Sequence, residues 1–143
     1  MAINQTLTTS FKVELLQGVH NFGPTSPNTF KIALYSNTAS LDATTTVYSA
    51  TGEITGTGYV AGGQTLTINP SPASGASTTA YVSFNPVSWS GASFTAAGAL
   101  IYNSTQSGKA VAVLNFGGLK IANGTFTVTF PTADSTSAII RIA

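Results

Sequence analysis

The stretch Asn123-Gly124-Thr125-Phe126-Thr127-Val128-Thr129-Phe130 decides the fold class of this chain. From Thr125 to Phe130, threonine alternates with Phe or Val without a break. Successive side chains of a strand point to opposite faces, so the pattern describes a strand with one buried face and one face of hydroxyls. Asn123-Gly124, just ahead of it, carries the strongest two-residue hairpin signal in the chain, because both residues tolerate positive φ.

Upstream of this stretch the text stays β as far back as Gln64. Thr65–Asn69, Thr79–Asn85, Val87–Ser90, Phe94–Asn103 and Ala110–Phe116 read as strands, and Ala138–Ile142 follows. Short gaps rich in Ser, Gly, Pro and Asn separate them. Pro70–Thr78 reads as a flexible hairpin tip. Farther upstream, Thr29–Ser36 alternates, with Phe30, Ile32 and Leu34 on one face. Strands at this spacing without intervening helices predict a mainly β fold, either a β-sandwich or a jelly-roll-like open barrel. Ala110–Phe116 is apolar on both faces, so it either lies centrally or has one face against another subunit.

One short N-terminal helix is expected. Thr9 or Ser10 can cap it, and Phe11, Leu15, Val19 and Phe22 recur at helical spacing, with Leu16 widening the stripe. Gly18 should end it. A second short helix is weakly indicated from Ser40. Thr51–Gly63 holds five glycines in thirteen residues and reads as an ordered loop or a bulged strand. The organisation expected is a flexible arm over residues 1–10 and a single β-rich domain over 11–143, a length that suffices for one buried core.

Composition narrows the function. Of 143 residues only 9 carry charge, whereas 23 are Thr and 16 are Ser. An average domain has about a quarter charged residues. A solvated face made of hydroxyls suits a chain that covers much of its surface with neighbours. The net charge of +1, with no basic run, argues against nucleic acid as a partner. No cysteine is present, so disulfides and thiolate metal sites are excluded. No apolar stretch is long enough to cross a membrane as a helix. The opening MAINQTLTTSF lacks the features of a signal peptide, so synthesis and retention in a cytoplasm are expected.

Catalytic groups are scarce. His20 is the only histidine and reads as a surface or helix-end residue, and the four acids are scattered along the chain. No G-x-S-x-G elbow occurs, and Ser107-Gly108-Lys109-Ala110 lacks both the first glycine and the hydroxyl of a phosphate loop. No catalytic residue, no metal site and no cofactor are expected. Tyr59, Trp89 and Tyr102 are less tied to an apolar face than the phenylalanines, and together with Val111 and Val113 they are the candidate interface residues.

Several ordered blocks resemble a family of small structural proteins of tailed-phage particles: Phe30–Leu41 (FKIALYSNTASL), Thr51–Gly63 (TGEITGTGYVAGG), Phe94–Asn103 (FTAAGALIYN), Ala110–Gly117 (AVAVLNFG) and Gly124–Pro131 (GTFTVTFP). The resemblance covers roughly residues 11 to 131. Ala97 stands where the family leads us to expect Arg, and Leu119 where an acidic residue is expected, so an ion pair between those positions would be missing here. The resemblance implies a virion protein of the head decoration or cement kind, with the major capsid protein as partner. Self-association as a closed dimer or trimer is expected from the residues themselves, because burying Ala110–Phe116 on both faces is easier with a partner, and no membrane partner is expected. A tail- or fibre-associated glycan-binding module, using exposed Tyr and Trp, is the alternative.

Overall fold

The computed structural model describes residues 2–143. It is mainly β, sandwich-like, with two antiparallel sheets and one short helix. In chain order the elements are β1 (Thr6–Leu7), α1 (Thr9–Leu16), β2 (Phe30–Tyr35), β3 (Gln64–Thr65), β4 (Ile68–Ala76), β5 (Thr79–Phe84), β6 (Val87–Asn103), β7 (Lys109–Val128) and β8 (Ile140–Ile142). One sheet has five strands in the order β1-β7-β6-β2-β3, and the other has three in the order β4-β5-β8.

The dominant element is the β6–β7 hairpin, whose arms are 17 and 20 residues long. The stretches Val87–Ser90 and Phe94–Asn103 are one strand rather than two. Ala110–Phe116 likewise runs on into Thr125–Val128. The Asn123-Gly124 hairpin expectation is corrected accordingly. Those residues pair with Ser93 and Ala92 inside the ladder, where Gly124 takes φ 111° beside a register shift. A positive-φ glycine serves a bulge as well as a turn, which is why the dipeptide misleads. The actual turn is Ser104–Gly108. Asn103 Oδ1 accepts the N–H groups of Thr105 and Gln106, and Ser107 and Gly108 both take positive φ.

The ladder is apolar on both faces, and both faces are covered. On one, Phe30, Ile32, Leu34, Ala99 and Ile101 meet Phe11 of α1, Phe22, and Val82, Phe84 and Ile140 of the second sheet. On the other, Ala33, Tyr35, Leu100, Ala110 and Val113 are covered by Ile3, Ala39, Leu41 and Tyr48. The doubly apolar Ala110–Val113 segment therefore lies centrally. The alternation from Thr125 to Phe130 holds as read, with exposed threonines and inward Phe126, Val128 and Phe130.

The irregular segments follow from what they cover. Residues 2–8 are not a free arm. Ile3 is buried, Leu41 accepts from the Asn4 N–H and donates its own N–H to the Ala2 carbonyl, and Thr6 and Leu7 pair with Val113 and Ala112. A short apolar-polar alternation, too brief to register as a strand alone, is enough to close a sheet edge. Thr8, not Thr9 or Ser10, caps α1 by accepting the Phe11 N–H, and Gly18 at φ 74° follows its end as expected. Leu16 does not widen the stripe, being 91% exposed. No helix forms at Ser40. Asp42 there folds a turn by accepting from the backbone and hydroxyl of Thr44. Pro70–Ala76 belongs to β4 rather than to a hairpin tip.

Gly63 shows how closely the 51–63 segment lies on the sheet. At φ 76°, an added Cβ would stand 1.7 Å from the Ile32 carbonyl oxygen. Gly117 has a similar φ of 75° but open space around it. Gly63→Ala should therefore destabilise by about 3 kcal/mol or more, and Gly117→Ala by about 1 kcal/mol, the conformational cost alone. Denaturant unfolding of the two variants checks this; equal losses would mean that the segment does not press on β2.

Candidate functional site

Two polar clusters and one apolar groove stand out. The first cluster is built on His20, which the sequence reading put at the surface. It is buried beneath α1, tilted against Phe11 and stacked toward Phe30. Its Nε2 lies 2.9 Å from Glu14 Oε1, and its Nδ1 lies 3.0 Å from Asn103 Nδ2. Asn103 uses its oxygen on the turn amides, so its nitrogen must donate. Nδ1 of His20 then accepts, and Nε2–H donates to Glu14. Asn103 Nδ2 also donates to Asn28 Oδ1, and Lys109 Nζ stands 3.2 Å from Glu14 Oε2. The helix end, the segment after it and the β6–β7 turn are thereby tied together. Both ring nitrogens are engaged within the chain, so the imidazole has no free position from which to take a substrate proton. Nothing in the spacing of Glu14, His20 and Asn103 signals this chain of bonds, because their meeting depends on the tertiary fold.

The second cluster is built on Glu53. Tyr48 Oη donates to Glu53 Oε2 at 2.6 Å, Tyr59 Oη to Oε1 at 2.6 Å, and the Gly62 N–H to Oε1 at 2.7 Å. Tyr59 Oη also accepts the Leu34 N–H, and Tyr102 Oη donates to the Gly62 carbonyl. Tyr35 Oη donates to the Ser49 carbonyl. Burial, followed by hydrogen bonding to the carboxylate or its charge, pushes the Tyr48 and Tyr59 phenols well above the ordinary tyrosine range. Burial and then the Glu53 charge do the same for Tyr35 and Tyr102. The cluster pins the glycine-rich segment to the sheet.

These contacts correct the interface candidates. Trp89 and Tyr102 are buried, Val111 and Val113 are fully buried, and Tyr59 is half-buried with its hydroxyl spent on Glu53 and Leu34. Trp89 packs against Tyr59 and Phe126, and its Nε1 has no partner among the described residues. The polar tips that make Tyr and Trp useful on surfaces also serve as internal ties, and sequence alone does not separate the two uses.

An apolar groove of about 520 Å³ runs along β7. Leu114, Phe116, Phe126, Val128 and Phe130 form its apolar wall together with Ile139, while Gln5, Lys120, Thr127 and Thr129 supply polar atoms. Leu119 and Ile121 stand exposed on the adjoining stretch of β7. Among the described residues, no three His, Cys, Asp or Glu side chains come together as a metal-binding group. No helix among them is long and apolar enough to cross a membrane. No protein-family model, no characterised protein and no solved structure matches this chain.

Two outcomes follow from the clusters. Asn103→Ala strips partners from His20, Asn28 and two turn amides, and should cost about 2–4 kcal/mol in denaturant unfolding. The raised phenols bind their protons more tightly folded than unfolded. Their contribution to stability is thus complete below the ordinary value of about 10 and is lost as pH climbs above it. Absorbance of phenolate should rise together with loss of near-ultraviolet circular dichroism above that pH; early ionisation of all tyrosines in a folded protein would contradict the cluster.

Proposed function

We propose that this chain is a structural protein of a tailed-phage particle, a head decoration or cement protein that binds the major capsid protein and stabilises the lattice. On this reading it is made in the host cytoplasm and ends in the capsid. The observation that carries the proposal is the apolar groove along β7, where Phe116 and Phe126 are half-buried beside the exposed Leu119 and Ile121, in a chain whose charged groups are few and largely engaged in its own structure. The sequence blocks that resemble the phage family point the same way. The glycan-binding alternative gains no support, since it needs an exposed platform of Tyr or Trp and those rings are mostly turned inward. The expectation that the doubly apolar Ala110–Phe116 strand needs a partner loses its ground at Ala110–Val113, whose second face is covered within the chain by Ile3, Ala39, Leu41 and Tyr48.

Attachment through such a groove is apolar in character. About 200 Å² of apolar surface removed from water contributes roughly 5 kcal/mol before the costs of association, against about 0–1 kcal/mol for an exposed ion pair. Occupancy on purified particles should therefore persist to about 1 M salt, where exposed pairs are screened within about 3 Å. Phe116→Ser should lower occupancy more than Lys120→Gln does. Release by salt alone, with the Phe116 variant still bound, would defeat the proposal.

A further inference from the structure

The terminal strands of the two sheets carry recognisable protection against pairing with another strand. β1 and β3 are two residues long and β8 is three. β4 is longer, but Pro70 and Pro72 remove amide donors from it. β7 differs. Its outer edge is paired with β1 at Ala112 and Val113, and the Asn115 N–H is taken by Gln5 Oε1. Beyond that, Gly117 and Gly118 interrupt the strand with φ values of 75° and 128°, and Gly124 does so again at 111°. Between them runs Leu119-Lys120-Ile121-Ala122-Asn123, of which Lys120–Asn123 pair with β6 on one side, and which has no strand on the other among the described residues. Five residues is about the length of an ordinary strand. Leu119 is 55% and Ile121 80% exposed, and Lys120 is the only charge on the segment.

We propose that this edge is where two copies of the chain join, antiparallel, so that their five-stranded sheets become continuous about a two-fold axis. The axis passes at Ile121. Ile121 then lies opposite the partner's Ile121, Leu119 opposite the partner's Asn123, and Lys120 opposite the partner's Ala122. Centring on Lys120 instead would set two like charges directly across from each other, which is destabilising. Centring on Ala122 would set Ile121 opposite Asn123 and Leu119 opposite Thr125, spending both aliphatic side chains on polar residues. The Ile121 register alone brings exposed aliphatic to exposed aliphatic while keeping the lysines diagonal, and a two-fold interface requires such self-complementarity. The edge offers backbone donors and acceptors in an alternating row, which a foreign side-chain surface would not satisfy but a strand does. The dimer assigned here uses the edge of β7, leaving the groove of the proposed capsid contact to a different partner.

The chain has no cysteine, which makes the test clean. Directly opposed residues of an antiparallel pair have Cα atoms about 4.5–5.5 Å apart, within disulfide range. Ile121→Cys should form an intermolecular disulfide on mild oxidation and run at twice the 14.5 kDa of the chain on a non-reducing gel. Leu16→Cys, at the fully solvated end of α1, is the comparison for random collision. Light scattering of the unsubstituted protein should give a dimer mass at micromolar concentration, and Ile121→Lys should weaken it roughly ten-fold or more. The Ile121 side chain is exposed, so neither variant should unfold the chain, which circular dichroism checks. A monomer at every concentration overturns the proposal. So does a dimer that survives Ile121→Lys with cross-linking no faster than for Leu16→Cys. These measurements need no phage particle, so their failure would leave the capsid reading standing, and loss of capsid binding would leave the dimer standing.

Discussion

The structure depends on one requirement, that a ladder apolar on both faces be covered on both. β2, β6 and β7 present Phe30, Ile32, Leu34 and Ile101 to one side and Ala33, Tyr35, Leu100 and Val113 to the other. A second sheet and α1 cover the first face with regular structure. The other face is covered by the N-terminal residues and the long segment after β2, which form almost no regular elements among the described residues. Irregular backbone over a core must still place its polar groups. Here it does so with few isolated bridges and with side chains. Glu53 gathers two phenols and an amide, Tyr102 holds the Gly62 carbonyl, and Gly63 sits too close to β2 to carry a side chain.

The scarcity of charge takes on a second meaning in this light. Glu14 is paired with His20 and Lys109, and Glu53 with Tyr48 and Tyr59. Asp42 and Asp134 each accept from a threonine hydroxyl and amide in a local turn, which holds both carboxyls below the usual aspartate range. All four acids are employed in making the fold, and the acidic component of a solvating surface is left to neutral hydroxyls. Low charge is thus explained in part by internal demand and does not require that the whole surface be covered by neighbours. What singles out β7 is narrower: aliphatic and aromatic side chains left outward beside a groove.

Legibility in the sequence was greatest where pattern is local. β2 and β5, the alternation from Thr125 to Phe130, and the end of α1 at Gly18 are read within a residue or two, because periodicity and glycine act over a few positions. The long strands were broken in the reading at Gly91 and at Gly117–Gly118, since a glycine marks a turn and a bulge with the same letter. The buried role of His20 was illegible, for its partners are six and eighty-three residues away. Tyr59, Trp89 and Tyr102 were misplaced for a related reason. An aromatic with a polar tip satisfies an interface and an internal tie equally well until the groups around it are known.

The glycines that obscured the strands also determine what the ladder exposes. A hairpin with arms of 17 and 20 residues would, if regular, twist far beyond the core it has to cover. Register shifts after Trp89, Ala96 and Ile101 let it bend, so that Trp89, Phe94 and Val128 on its distal half join the same core as Ile101 and Ala112 near the turn. Bending brings a second consequence. Between the glycines at 117–118 and 124, β7 keeps one register over Lys120–Asn123, long enough for a strand to add and short enough that the addition is bounded at both ends. A flat edge of the whole length of β7 would invite unlimited pairing and aggregation. The same irregularities that let one chain wrap its own core therefore restrict any pairing at this edge to a single register-limited segment.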